Sequence, residues 1–123
     1  MKKIFSISGK VIKGKDKGKQ LGYPTANIKL PKSHQIESGV YAVKVEVGDK
    51  ILNGAAFIRP QSRPQSQILE VHLFDFSGNL YGKELKVDFF KKLREARKFK
   101  NDKQLMAQIG KDCKLARQFL KSM

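Results

Sequence analysis

Apolar residues recur at every second position through the first two thirds of the chain, and at every third or fourth in its last fifth. Period two is the repeat of a short strand, and Gly, Pro, Asn and Ser mark where such strands turn. The pattern predicts strands over residues 5–12, 25–29, 40–47, 51–58, 68–76 and 84–90, with turns at Gly48-Asp49 and Ser77-Gly78-Asn79. Six short antiparallel strands suit a small closed barrel. Beyond Asn101 the period changes: Leu105, Ile109, Cys113, Ala116 and Leu120 lie on one apolar helix face. Asn101 and Gln104 have capping-box spacing, which starts this helix near Asp102, and Gly110 weakens it by about 1 kcal/mol relative to Ala.

A chain of 123 residues, 40% of them hydrophobic, supports one compact core. A single domain over 1–123 is expected, with the barrel over about 4–90 and the helix over about 102–121. The formal charge of +15, from 26 basic and 11 acidic side chains, favours polyanions, whether nucleotide, nucleic acid or acidic membrane, without choosing among them. Cys113 is the one cysteine, so no intramolecular disulfide forms; a reducing compartment is implied, and the thiol reads as a small buried hydrophobe. Met1-Lys2-Lys3 has the basic start of a signal peptide, but Ser6, Ser8, Gly9 and Lys10 interrupt the apolar stretch that must follow. No run has the length of a membrane span, and a soluble cytoplasmic protein is expected.

The candidate chemistry is concentrated between Gly14 and Asn27. Gly14, Gly18 and Gly22 are spaced four apart, so the backbone can approach a ligand closely, while Lys15, Lys17 and Lys19 add positive charge. Pro24 restricts the turn that follows, and Thr25 and Asn27 offer oxygen ligands suited to a hard cation such as Mg²⁺. Residues 9–15 also match most of a Walker A string, yet Asp16 stands where that motif needs Ser or Thr, and Lys10-Val11-Ile12-Lys13 reads as strand rather than loop.

The order G-x-x-x-G-x-x-x-G-[YF]-P-T-A-N resembles the signature of the riboflavin kinase family, which phosphorylates riboflavin to FMN with ATP. Gly39-Val40-Tyr41-Ala42-Val43, residues 69–76, Leu80-Tyr81-Gly82-Lys83, Leu93-Arg94 through Phe99, and Leu105, Gln108-Ile109 and Asp112 follow in the family's order. The resemblance implies a six-stranded antiparallel Greek-key barrel with a C-terminal helix packed outside. It implies an ATP and phosphate site at Gly14, Lys15, Gly18, Lys19, Gly22, Pro24, Thr25 and Asn27, with Thr25 and Asn27 on Mg²⁺. Many family members are the C-terminal half of a bifunctional FAD synthetase whose other half adenylylates FMN. That half is absent from these residues, and a stand-alone kinase or an excised domain is expected, with an FMN adenylyltransferase as a fused or separate partner.

Strand parity puts Leu69, Val71 and Leu73 on one face and Glu70, His72, Phe74 and Phe76 on the other. By resemblance, Glu70 matches the catalytic base that takes the proton of the ribityl 5′-hydroxyl. Arg94 and Phe99, entering the helix, are the candidates for the flavin ring, since a guanidinium or an aromatic ring stacks on it. Phe99 also suits a staple of the helix to the core, and Lys91-Lys92, Arg94 and Arg97-Lys98 also suit a solvated basic face. Two departures fall on this side. The family pattern G-[VA]-A-N-I-G-x-R-P-T is replaced by Gly54-Ala55-Ala56-Phe57-Ile58-Arg59-Pro60-Gln61, with Arg63-Pro64-Gln65 as another source of Arg-Pro, and the Glu of L-R-x-E-x-x-F is Ala96 with Glu95 beside it. They leave open a degenerate barrel that binds nucleotide or flavin without turnover. A basic barrel binding RNA or single-stranded nucleic acid is the rival of another class, with Tyr23, Phe57, Phe74, Phe76 and Tyr81 as its stacking platforms.

Overall fold

The computed structural model describes residues 2–13, 25–31, 33–60 and 67–123. Among them are six strands, β1 (Phe5–Ile12), β2 (Thr25–Lys29), β3 (Gly39–Val47), β4 (Lys50–Ile58), β5 (Ile68–Leu73) and β6 (Glu84–Arg94), and one helix, α1 (Asp102–Lys121). All pairings are antiparallel, and the strands close in the order β1-β2-β5-β4-β3-β6. Strands β3, β4 and β5 form a meander, and β2 lies beside β5 rather than β3, which is a Greek-key connection. Lys10-Val11-Ile12 lie within β1, as strand rather than loop.

Alternation decides which side chains fill the barrel. Ala26 and Ile28, Tyr41, Val43 and Val45, Ala56 and Ile58, Leu69, Val71 and Leu73, and Leu85, Val87 and Phe89 all enter one interior cluster. The Phe89 ring lies 4.5 Å from Phe5 and 5.2 Å from Tyr41, the latter edge-on, and the Tyr41 hydroxyl donates to the Glu37 carbonyl at 2.7 Å. On the opposite face of β3 and β4, the small Ala42 and Ala55 admit α1 at close range, where Ile109, Cys113, Ala116 and Leu120 pack over them. Burial raises the Cys113 thiol to about 11, so it behaves as the small hydrophobe expected. Asn101 caps α1, accepting from the Gln104 amide at 2.9 Å; Gln104 reaches back to the Lys100 amide at 3.3 Å.

Four boundaries differ from the sequence pattern. β3 and β4 each start one residue earlier, meeting in a two-residue hairpin whose first position, Gly48, has φ +61°. β5 stops at Leu73 instead of 76, because the chain turns through Asp75 at φ 56°. The turn breaks the expected parity: Phe74 goes under α1 and Phe76 against the interior cluster. β6 runs to Arg94 rather than ending at 90, and Phe90 and Leu93 are bulged out of register against β3. Gly39, at φ +146°, lets β3 begin alongside this irregular end, where a Cβ would lie 2.7 Å from the Arg94 carbonyl oxygen.

Candidate active site

The strand register assembles the polar residues of β2 and β5. Thr25 pairs with His72 and Asn27 with Glu70 across β2 and β5, while β4 sets Phe57 opposite Glu70 and Ala55 opposite His72. Because Ala26, Ile28, Leu69, Val71, Ala56 and Ile58 point inward, these partners all occupy the outward face. Directly opposed residues on such a face have Cβ atoms about 5 Å apart, so Asn27, Glu70 and Phe57 form one row across three strands.

Environment separates the members of this row. Asn27 is buried to 3% exposure, whereas the Glu70 side chain retains 24%. A carboxylate with that access can meet a substrate hydroxyl while its neighbours stay fixed. The exposed guanidinium of Arg59 stands 3.8 Å from the Glu70 carboxylate, and the Arg59 carbonyl accepts from Gln67 Nε2 at 3.0 Å. His72 is buried, with its ring edge-on to Phe57 at 4.6 Å between centroids.

Burial pushes the His72 imidazole down from 6.5 to about 4; the Asp112 carboxylate opposes that shift and Arg59 adds to it. The folded-state value lies below the unfolded one, so between pH 6.5 and 4 the unfolded chain binds the extra proton. Stability therefore falls as pH falls through that window, by up to about 3 kcal/mol for the full shift. Urea denaturation across this range is expected to show that slope in the wild type and a flatter one in His72→Phe; an equal slope in the variant would assign it to other groups.

A second polar cluster joins the end of β6 to α1. Arg94 donates from Nε to Asp112 Oδ1 at 2.8 Å and from Nη2 to Oδ2 at 2.7 Å, a bidentate pair with Asp112 at 2% exposure. Gln108 Nε2 donates to the same carboxylate at 2.9 Å, and Gln108 Oε1 accepts from Arg97 Nη2 at 2.6 Å. The Phe99 ring lies 5.8 Å from the Arg94 guanidinium carbon and 5.0 Å from that of Arg97. Lys92 bridges Glu37 at 2.8 Å and Glu95 at 2.7 Å, and these two carboxylates hold its ammonium well above the usual lysine range.

The geometry brings Thr25, Asn27 and Glu70 together on one face, and Arg94 and Phe99 together at the mouth of α1. Gly14, Lys15, Lys17, Gly18, Lys19, Gly22, Tyr23, Pro24, Gln61, Arg63, Pro64 and Gln65 lie outside the described residues. Lys92 is paired with Glu37 and Glu95 and Arg94 with Asp112, whereas Lys91, Arg97 and Lys98 are exposed, so the solvated basic face holds for these three only. The aromatic residues offered as stacking platforms are dispersed: Phe74 and Phe57 pack with the α1 cluster, Phe76 with the interior and Tyr81 is exposed. Sequence reasoning did not single out Asp112 as a site residue. Its signal is an acidic side chain beside the apolar stripe of Ile109, Cys113 and Ala116, where a charge needs partners.

Residues 1–120 match the family model for riboflavin kinase, Flavokinase. Curated relatives include the bifunctional riboflavin kinase/FMN adenylyltransferases of Haemophilus influenzae, at 44% identity over 98% of this chain and 40% of the relative, and of Bacillus subtilis, at 41% over 88% and 36%. The Escherichia coli K12 protein of the same name is 42% identical over 94% of this chain and 38% of its own length, so the chain spans about two fifths of these relatives. Among solved structures, riboflavin kinase from Trypanosoma brucei shares the fold at TM-score 0.66 and 24% identity, over 94% of this chain and 79% of that one. A structure described as a macrolide-efflux protein from Streptococcus pneumoniae superposes at TM-score 0.81 and 30% identity, covering 91% of this chain and 38% of that one.

Proposed function

Because this chain belongs to the riboflavin kinase family, we propose that it transfers the γ-phosphate of ATP to the 5′-hydroxyl of riboflavin, giving FMN and ADP. The observation that carries the reading is the row of Asn27, Glu70 and Phe57, with Thr25 two residues along β2 from Asn27. It places an accessible carboxylate beside hard oxygen donors on one rigid surface.

Phosphoryl transfer asks the protein for alignment and charge neutralisation more than for covalent chemistry. Glu70 accepts the proton of the ribityl hydroxyl as its oxygen forms the new bond to the γ-phosphorus. The bond from that phosphorus to the β,γ-bridging oxygen breaks, and its electron pair leaves with ADP. Asn27, fixed by burial, and Thr25 orient the phosphates from β2. The family resemblance assigns the further ATP and phosphate contacts to Gly14, Lys15, Gly18, Lys19, Gly22 and Pro24, which lie outside the described residues. Arg94 and Phe99 receive the flavin ring.

Thr25 and Asn27 would supply hydroxyl and amide oxygens to hold a Mg²⁺ ion, and among the described residues no group of three or more His, Cys, Asp and Glu offers a rival metal site. Held there, the ion would supply charge neutralisation to the phosphates. Thr25→Ala is expected to raise the Mg²⁺ concentration for half-maximal activity about tenfold; an unchanged Mg²⁺ titration would remove Thr25 from this role.

FMN formed here passes to an FMN adenylyltransferase, fused or separate, as the names of the bifunctional relatives suggest. Among the described residues no helix is long and apolar enough to cross a membrane, and a cytoplasmic location fits reduced Cys113 and intracellular ATP. The test is chromatographic detection of FMN from riboflavin, ATP and Mg²⁺. FMN formation supports the kinase; binding of both substrates without FMN would make this a barrel that has lost turnover.

A further inference from the structure

We infer that Asp112 is a positioning residue for the phosphoryl acceptor, holding Arg94 and the connection over residues 95–100 in the shape that receives riboflavin. The inference rests on the kinase reading and goes beyond it by giving α1 a part in acceptor binding. Asp112 lies beside the apolar stripe of Ile109, Cys113 and Ala116 on α1 and is 2% exposed. A single buried carboxylate is costly to desolvate, and replacing such an ion pair by apolar residues often stabilises a protein. Stability alone is therefore a weak reason for a charge at this position.

What Asp112 does geometrically is specific. Its two oxygens accept Arg94 Nε and Nη2 in the fork that fixes a guanidinium plane, and Arg94 Nη1 donates to the Glu95 carbonyl at 2.9 Å. Three of the five guanidinium N–H groups are thus spent on orientation, leaving two N–H groups and the planar faces for other contacts. Gln108 relays the same anchor outward, donating to Asp112 and accepting from Arg97, so both arginines flanking Phe99 are tied to one carboxylate. On the inner side, the same carboxylate acts on His72, the neighbour of Phe57 in the row that carries Glu70. Asp112 therefore fixes the plane of Arg94 and, through Gln108, ties Arg97 to the same anchor at the start of the connection to α1.

The test is riboflavin affinity, read by quenching of flavin fluorescence, and the steady-state constants of the kinase reaction, in wild type and Asp112→Asn. The variant keeps the side-chain shape and removes the charge. A rise of about tenfold in the riboflavin dissociation constant and KM is expected, with the KM for ATP within about twofold, because only acceptor orientation is lost. Gln108→Leu, which cuts the relay to Arg97 but leaves the Arg94 pair, is expected to show a smaller rise of about threefold and covers the case in which Asp112→Asn fails to fold. Arg94→Met/Asp112→Leu is expected to fold stably and still bind riboflavin weakly. Wild-type affinity in Asp112→Asn and Gln108→Leu, or recovered affinity in the apolar pair, would overturn the positioning role and leave the kinase intact. A wild-type chain that neither binds nor phosphorylates riboflavin would remove the kinase reading and this inference together.

Discussion

Glu70→Gln is expected to lower FMN formation by about 10²- to 10⁴-fold, the range lost when a positioned general base is removed, while ATP affinity stays within about twofold of wild type. The amide has the shape of the carboxylate and fits the same place between Asn27 and Phe57. It cannot accept the proton of the attacking hydroxyl. Because Glu70 lies on the outward face, its replacement leaves the interior cluster untouched, and thermal stability should hold. The exposed Arg59 guanidinium 3.8 Å away loses a partner, which is worth little for a solvated cation. Single-turnover phosphorylation with saturating ATP and riboflavin isolates the chemical step. A Gln variant that turns over at the wild-type rate would show that the proton leaves by another route and that Glu70 only lines the face.

The second large effect falls on the barrel itself. Phe89→Ala is expected to cost about 3–5 kcal/mol, because the ring is fully buried against Phe5 and Tyr41 and its loss leaves a cavity the closed barrel cannot collapse into. For a domain of this size, that predicts a fall of roughly 10–20 °C in melting temperature. Met106→Ala, on the exposed side of α1, should stay within about 0.5 kcal/mol of wild type. Thermal denaturation of the pair is the check; equal midpoints would mean that the interior is not packed around Phe89.

Site residues differed in how legible they were. Glu70 stands out as a charge in the apolar run from Ile68 to Leu73, and Thr25 and Asn27 as the polar end of a glycine-rich signature. Each is a local feature, and each lies on a strand whose alternation fixes its face. Asp112 and Gln108 are legible only as polar residues on an amphipathic helix, because their partners Arg94 and Arg97 belong to a different stretch of chain. Glu95 shows the converse. Its place beside Ala96 suggests a substitute for the displaced Glu of the motif, yet its carboxylate turns to Lys92, which also holds Glu37 from far earlier in the chain.

Period, caps and turn residues are properties of neighbouring side chains, so the sequence by itself determined the six strands, the start of α1 and the inward or outward sense of most positions. It erred where tertiary contacts overrode the local pattern. β6 continues to Arg94 because β3 supplies a partner for it and absorbs Phe90 and Leu93 as bulges. β5 ends at Leu73 because Asp75 turns the chain, which carries Phe74 under α1 and Phe76 to the interior. Only the closed strand order puts Asn27 opposite Glu70, since a register between strands more than 40 residues apart depends on closure of the whole barrel. The same closure brings α1 over Ala42 and Ala55, and with it the buried carboxylate of Asp112 to the guanidinium of Arg94.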